Sequence, residues 1–139
     1  MPGYTYSISL RIWHPTRSLD YVTNELNLMP TAVWKAGEQR TAEKGKTPPI
    51  VRDTHFWTAD LLKGSHAECD LADALSRILD HLASKKDLFL DISATGGRSE
   101  LFVGWFFPEG NSGDVLGHEL LSRFADLSID ISFDIYSVK

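Results

Sequence analysis

A chain of 139 residues with 42% hydrophobic and 24% charged residues has the size and composition of one ordinary globular domain. That excludes global disorder and removes any need for a stabilising disulfide or metal. The net charge of −5 argues against general nucleic-acid binding, which usually comes with a basic excess.

Cys69 is the single cysteine, so no intrachain disulfide and no Cys-rich zinc site is expected. No apolar run approaches ~18 residues, so no transmembrane helix is expected. The start Met1-Pro2-Gly3-Tyr4 lacks the basic and apolar regions of a signal peptide. The expectation is a cytoplasmic protein of bacterial type, without a cofactor and without a membrane or nucleic-acid partner.

In chain order, Tyr4, Tyr6, Ile8, Leu10 and Ile12 alternate with Thr5, Ser7, Ser9 and Arg11. That period of two predicts a strand with one buried face, stopped by Pro15. Ser18 is a candidate cap for a helix carrying Leu19, Val22 and Leu26, which Asn27 and Pro30 end. A short strand or turn follows at Trp34. Residues 41–53, with Gly45 and Pro48-Pro49, are expected to form a flexible loop. Residues 54–60 read as a strand around Phe56 and Trp57.

Asp70 is the candidate cap of a second helix with the stripe Leu71, Leu75, Ile78, Leu79 and Leu82. Lys85 and Lys86 complement the dipole at its C-terminal end. Leu88, Leu90, Ile92 and Ala94 alternate and predict a strand, with Gly96-Gly97 as the hairpin turn into a partner strand Leu101–Phe107. Pro108, Gly110 and Asn111 break that strand. Ser112 is the candidate cap of a third helix with Leu116, Leu120 and Phe124. Ile129, Ile131, Phe133 and Ile135 form the last strand.

The segments Leu10-Arg11-Ile12-Trp13-His14-Pro15 and Val103-Gly104-Trp105-Phe106-Phe107-Pro108 echo each other, and each precedes a helix and a strand. The expected fold is α+β: one domain over 1–139 with a single mixed sheet of five or six strands. Three helices lie mainly on one face, and the plan suggests two βαβ-like halves.

With the aliphatic strand faces turned to the helices, the other face collects Arg11, Trp13, Asp91, Ser93, Phe102, Gly104, Phe106, Asp130, Ser132, Asp134 and Tyr136. The strand Leu101–Phe107 is apolar on both faces, so its outer face needs a cover: a partner, a ligand or the long loop. The second candidate site is the run Trp34-Lys35-Ala36-Gly37-Glu38-Gln39-Arg40 with His55 and Trp57. Gly37 suits a turn with positive φ. Lys35 and Arg40 beside Trp34 and Trp57 suit an anionic or aromatic ligand, with Glu38 or His55 as an acid or base. The plainer alternative is that Lys35, Glu38 and Arg40 make solvated ion pairs of little worth and Trp34 plugs the loop.

His14 and His55 flank aromatic strand positions and can meet in space, where hydrogen-bonded structural roles are the commoner outcome. No His pair has zinc-ligand spacing, and no nucleophile elbow or phosphate-binding glycine loop is present. Metal ligands and catalytic residues are therefore not assigned.

The helix end Leu26-Asn27-Leu28-Met29-Pro30-Thr31, then Trp34-Lys35-Ala36-Gly37-Glu38, then Trp57, then the closing strand Ile131-Ser132-Phe133-Asp134-Ile135-Tyr136 together resemble a bacterial family catalogued as domain of unknown function 4279. The resemblance covers nearly the whole chain. It implies a small cytoplasmic α+β protein and carries no catalytic residues over.

Three functions follow as expectations. The first is a non-enzymatic interaction module using Trp13, Phe102, Phe106 and the Trp34–Arg40 turn. It would bind another protein or a second copy, and an immunity-like role is one form of it. The second is a small-molecule or anion site, or a weak enzyme, in a pocket between Trp34, Arg40 and Trp57. The third is a motif that only stabilises its own fold.

Overall fold

The computed structural model describes residues 3–37, 39–40, 50–51, 53–66, 69–108 and 113–137, with backbone alone at 39–40, 50–51 and 63–66. Ten-residue β1 (Thr5–His14) runs through the middle of the molecule. Its even positions, Tyr6 to His14, are buried and its odd positions only half so, as the period of two requires. The sheet has five strands in the order β2 (Ala32–Trp34), β5 (His55–His66), β1, β6 (Arg98–Phe107) and β7 (Ile129–Ser137). β1 is antiparallel to both β5 and β6, while β6 and β7 are parallel. A separate ribbon pairs β3 (Gln39–Arg40) with β4 (Ile50–Val51). Part of the loop expected over 41–53 is thus paired, and its residues 41–49 and 52 lie outside the described residues.

Two half-units are visible. Helix α4 (His118–Asp126) connects the parallel strands β6 and β7. Helix α1 (Val22–Leu26) connects β1 to β2, which are parallel to each other with β5 inserted between them. Aligned on Pro15 and Pro108, Ile12 matches Trp105 and both point at the helices. Trp13 matches Phe106 and both point away.

Helix α2 (Leu71–Leu82) lays Leu71, Ala74, Leu75, Leu79 and Leu82 against the sheet. Asp70 sits at its N-cap with extended backbone but makes no side-chain cap bond. The cap comes from far away in sequence. Tyr4 Oη accepts the Leu71 N–H at 2.9 Å and donates to Asp114 Oδ2 at 2.5 Å, and that carboxylate also takes the Ala72 N–H at 3.5 Å. Burial, aided by Asp114, pushes the Tyr4 phenol far above its usual range. Burial opposes ionisation of Asp114, but hydrogen bonds from Tyr4 and the backbone outweigh it and hold the carboxyl low.

The strand predicted from Leu88 to Ala94 is a helix, α3 (Lys86–Ala94), joined to α2 by a single 3-10 turn at Ala83–Lys85. Phe89 and Ile92 face the core at helical spacing, while Leu90 is exposed. Nine residues are too few for alternation to separate the two periods. Gly96-Gly97 is accordingly not a hairpin turn. Gly96 has φ +101°, its N–H bonds to Ser93 O at 3.2 Å, and the Gly97 N–H bonds to Ile92 O at 2.8 Å. That is a Schellman helix end, which wants glycine for the same positive φ. Asp91 and Ser93 therefore leave the sheet, and Asp91 pairs with Arg17 at 2.6 Å.

The other helices start later than expected. α1 begins at Val22, and Ser18 Oγ accepts only the Asp20 N–H at 3.4 Å. α4 begins at His118 behind Gly117, beyond Leu116, and Ser112 lies outside the described residues. No helix among the described residues is long and apolar enough to cross a membrane.

Candidate functional site

The sheet face away from the helices carries three aromatic groupings. Phe56 is sandwiched between Trp34 and Trp13, with ring centroids at 4.3 and 5.1 Å. The Arg98 guanidinium lies 4.0 Å from the Trp13 ring and that of Arg11 3.7 Å from the Phe102 ring. Phe106 stacks on Tyr136 at 5.0 Å. The sandwich leaves Phe56 only 6% exposed. Offset stacking and cation–π contact thus cover much of this surface from within. Phe102 and Phe106 are half-buried.

The Trp34–Arg40 run is a turn. Gly37 has φ +89° with open space where a Cβ would stand, so conformation rather than crowding favours glycine. The Ala36 N–H bonds to His55 Nδ1 at 3.3 Å, and Lys35 pairs with Asp20 at 3.1 Å on the surface. Glu38 and the Arg40 side chain lie outside the described residues. Trp57 is fully buried on the helix face, where its indole N–H donates to Thr23 Oγ1 at 3.0 Å. Adjacent strand residues point to opposite faces, so Trp34, opposite Phe56, shares no pocket wall with Trp57. The two tryptophans therefore do not face each other across the pocket expected between them and Arg40.

His14 and His55 do meet, as directly opposed residues of β1 and β5. His14 Nδ1 accepts the backbone N–H groups of Thr16 and Arg17 at 3.2 and 2.9 Å, leaving Nε2 to donate to Thr95 Oγ1 at 2.9 Å. Burial, then the positive charge of Arg17, depresses its pKa. His14 is a neutral structural bracket between β1 and α3. Among the described residues no three His, Cys, Asp or Glu side chains are grouped to hold a metal.

A cleft with room for a ligand lies on the other face, under α2, with a volume of about 690 Å³. Leu61 and Leu62 of β5 and Tyr6 of β1 form its floor. Consecutive strand residues line one cleft because the β1–β5 register shifts between Ile8 and Ser9, moving the pairing from Asp60 to Leu62. Leu26 and Leu28 close one side. Helix α1 has only five residues and ends at Asn27 with φ 53°, so the chain turns away before filling the space.

Helix α2 and the 3-10 turn that follows it supply two parallel rows at i, i+4, i+8. Ala74, Ile78 and Leu82 are wall, and Arg77, His81 and Lys85 are rim. Tyr6 Oη donates to Cys69 O at 2.7 Å and lies 3.5 Å from Cys69 Sγ, which fixes the floor to the start of α2. Among the described residues no acidic side chain lines the cleft, and Glu68, next to Cys69, lies outside them. The nearby acid Asp80 is taken by Arg123 at 2.5 Å. Ile78 and Leu82 belong to the apolar stripe that the sequence predicts, and they pack in or against the core; the basic residues one step away, spaced by four, are the signal available for the rim.

A family model described as Domain of unknown function (DUF4279) matches residues 4–138, and the chain belongs to that family. No curated protein and no solved structure matches the chain.

Proposed function

We propose that this member of the DUF4279 family is a non-enzymatic binding module that holds a small amphipathic anion beneath α2, apolar body inward and charged group at the rim. The observation that carries this is the cleft itself: leucine and isoleucine walls ending in a rim of Arg77, His81 and Lys85, with no acid among the described lining residues. Its volume of about 690 Å³ lies within the range of small-molecule sites. Each methylene transferred to such walls contributes about 0.8 kcal/mol, and guanidinium and ammonium groups at the mouth select an anionic head.

Calorimetric titration with decanoate, decanol and decyltrimethylammonium tests it. Decanoate should bind saturably, decanol more weakly and the cation least. Exchanging both Arg77 and Lys85 for Ala should weaken decanoate about tenfold or more, and Ile78→Trp should abolish binding by filling the cleft. Equal binding of all three, or decanoate binding untouched by Ile78→Trp, overturns the reading.

A second reading, an interaction module for another protein, is supported by the acids Asp60, Asp130 and Asp134 beside the aromatics of the open face and by the net charge of −5. Its immunity-like form covers a toxin's basic site. Phe102→Asp with Phe106→Asp should then lose a stoichiometric basic partner while the fold persists. Retention of that partner by the folded double variant removes the open face as its interface.

A further inference from the structure

The two margins of the sheet differ. β2 has three residues, whereas β7 has nine. A short edge resists pairing with another chain, and a long one invites it. β7 bonds to β6 on one side, and no described strand lies on its other side. It contains no Lys, no Pro and no described bulge. In its outer half large apolar side chains stand open beside Asp134: Phe133, Ile135 and Tyr136 are 37%, 62% and 44% exposed.

We propose that β7 pairs antiparallel with β7 of a second copy of this chain, about a two-fold axis through Phe133. The pattern of acids and the length of the strand together select this register, since Phe133 is the midpoint of Ile129–Ser137 and a centre there pairs the whole of β7. A two-fold axis perpendicular to the sheet must pass through a residue, because opposed side chains share a face. Centred on Ser132, it opposes Asp130 to the partner's Asp134. Centred on Asp134, it opposes that carboxylate to its own copy. Like charges directly opposite are destabilising. Centred on Phe133, it sets Phe133 against the partner's Phe133 and Ile131 against the partner's Ile135 on the helix side. On the open side it sets Asp130 against the partner's Tyr136 and Ser132 against the partner's Asp134.

Ser132 Oγ is one of few buried polar atoms with no hydrogen-bond partner among the described residues, and this register brings an acceptor opposite it. The result is a ten-stranded sheet continuous across the pair, five from each copy. An isologous contact of this kind closes and does not propagate.

Cross-linking reads the register directly. In a Cys69→Ser background, Phe133→Cys should form a disulfide dimer under mild oxidation, since identical residues face each other. Ser132→Cys and Asp134→Cys should each stay largely monomeric alone and cross-link when mixed. Sedimentation of the unmodified chain from low micromolar to submillimolar concentration should show a monomer–dimer equilibrium, weakened about tenfold or more by Phe133→Asp and unchanged by Ile78→Trp. A monomer at every concentration overturns the proposal. So does a mixture of the Ser132 and Asp134 variants that cross-links no faster than either alone. Neither result depends on whether the cleft binds decanoate.

Discussion

The two faces of the central sheet are stabilised by different interactions. The helix face is an aliphatic core in which Ile8, Leu10, Ile12, Leu75, Leu79 and Leu101 are wholly excluded from water. Its stability comes from area removed from solvent, about 25 cal/mol per Å². The open face has no second layer among the described residues, and its aromatics are paired with one another or roofed by Arg11 and Arg98. Each such cation–π contact contributes about 0.5–1 kcal/mol at an exposed site. The face that looks available is therefore partly filled by its own side chains. The face that looks finished holds the vacancy, because the short α1 and the shifted register of β5 leave α2 standing over unfilled space.

The largest effects should fall on the helix face. Trp57→Ala should cost about 3–5 kcal/mol in denaturant unfolding, the range for deleting a buried aromatic. Trp13→Ala or Trp34→Ala on the open face should cost clearly less. Equal losses would mean that the open face is as much a core as the other.

Next comes Gly97, where β6 leaves α3 beside β1. An added Cβ would stand 2.7 Å from Ile92 Cγ2 and 2.8 Å from both His14 Cδ2 and Trp13 O. Gly97→Ala should cost about 1–3 kcal/mol by overpacking. Gly37→Ala meets no neighbour but needs positive φ, so about 1–2 kcal/mol is expected. A thermal melt that ranks Gly37→Ala above Gly97→Ala would contradict the packing argument.

Acid should act on the helix face through two groups. The folded pKa of Asp114 lies below its unfolded value near 3.9. The stability it contributes is complete above that value and is lost as pH falls through the folded pKa. The folded pKa of His14 lies below its unfolded value near 6.5, so stability also falls as pH drops beneath that value towards the folded one. Melting temperature should therefore decline from pH 7 downwards in two stages. His14→Asn should flatten the upper stage and Asp114→Asn the lower, each from a lower starting point.

The smallest effects belong to the exposed charges. Arg98→Ala should cost less than about 1 kcal/mol, and removing the surface pair of Lys35 with Asp20 should leave the melt unchanged.

Legibility in the sequence follows the range of the interactions. The alternation in β1 and the stripe of α2 are local and dictate one buried face each, so they could be read directly, whereas the same alternation in β7 gives a strand that is buried only at Ile129. Phe102, Phe106, Asp130 and Tyr136 came out on the correct face for the same reason. α3 was hidden because Leu88, Leu90 and Ile92 satisfy a strand period while Leu88, Phe89 and Ile92 satisfy a helical one. The two glycines after it serve a hairpin and a Schellman end equally well. Tyr4 and Asp114 capping α2 could not be read at all, since they come from 67 and 42 residues away from the bonds they make. The cleft needs Leu28, Leu62 and Ile78 brought together across three elements, and no local pattern records an empty volume.

Chemical-shift mapping in a decanoate titration compares the two faces in one experiment. The account predicts saturable shifts at the amides of Leu61, Leu62, Cys69, Ile78, His81 and Lys85, with Trp13, Phe102 and Phe106 unmoved. Shifts confined to Trp13, Phe102 and Phe106, or none that saturate at the α2 cleft, would contradict it.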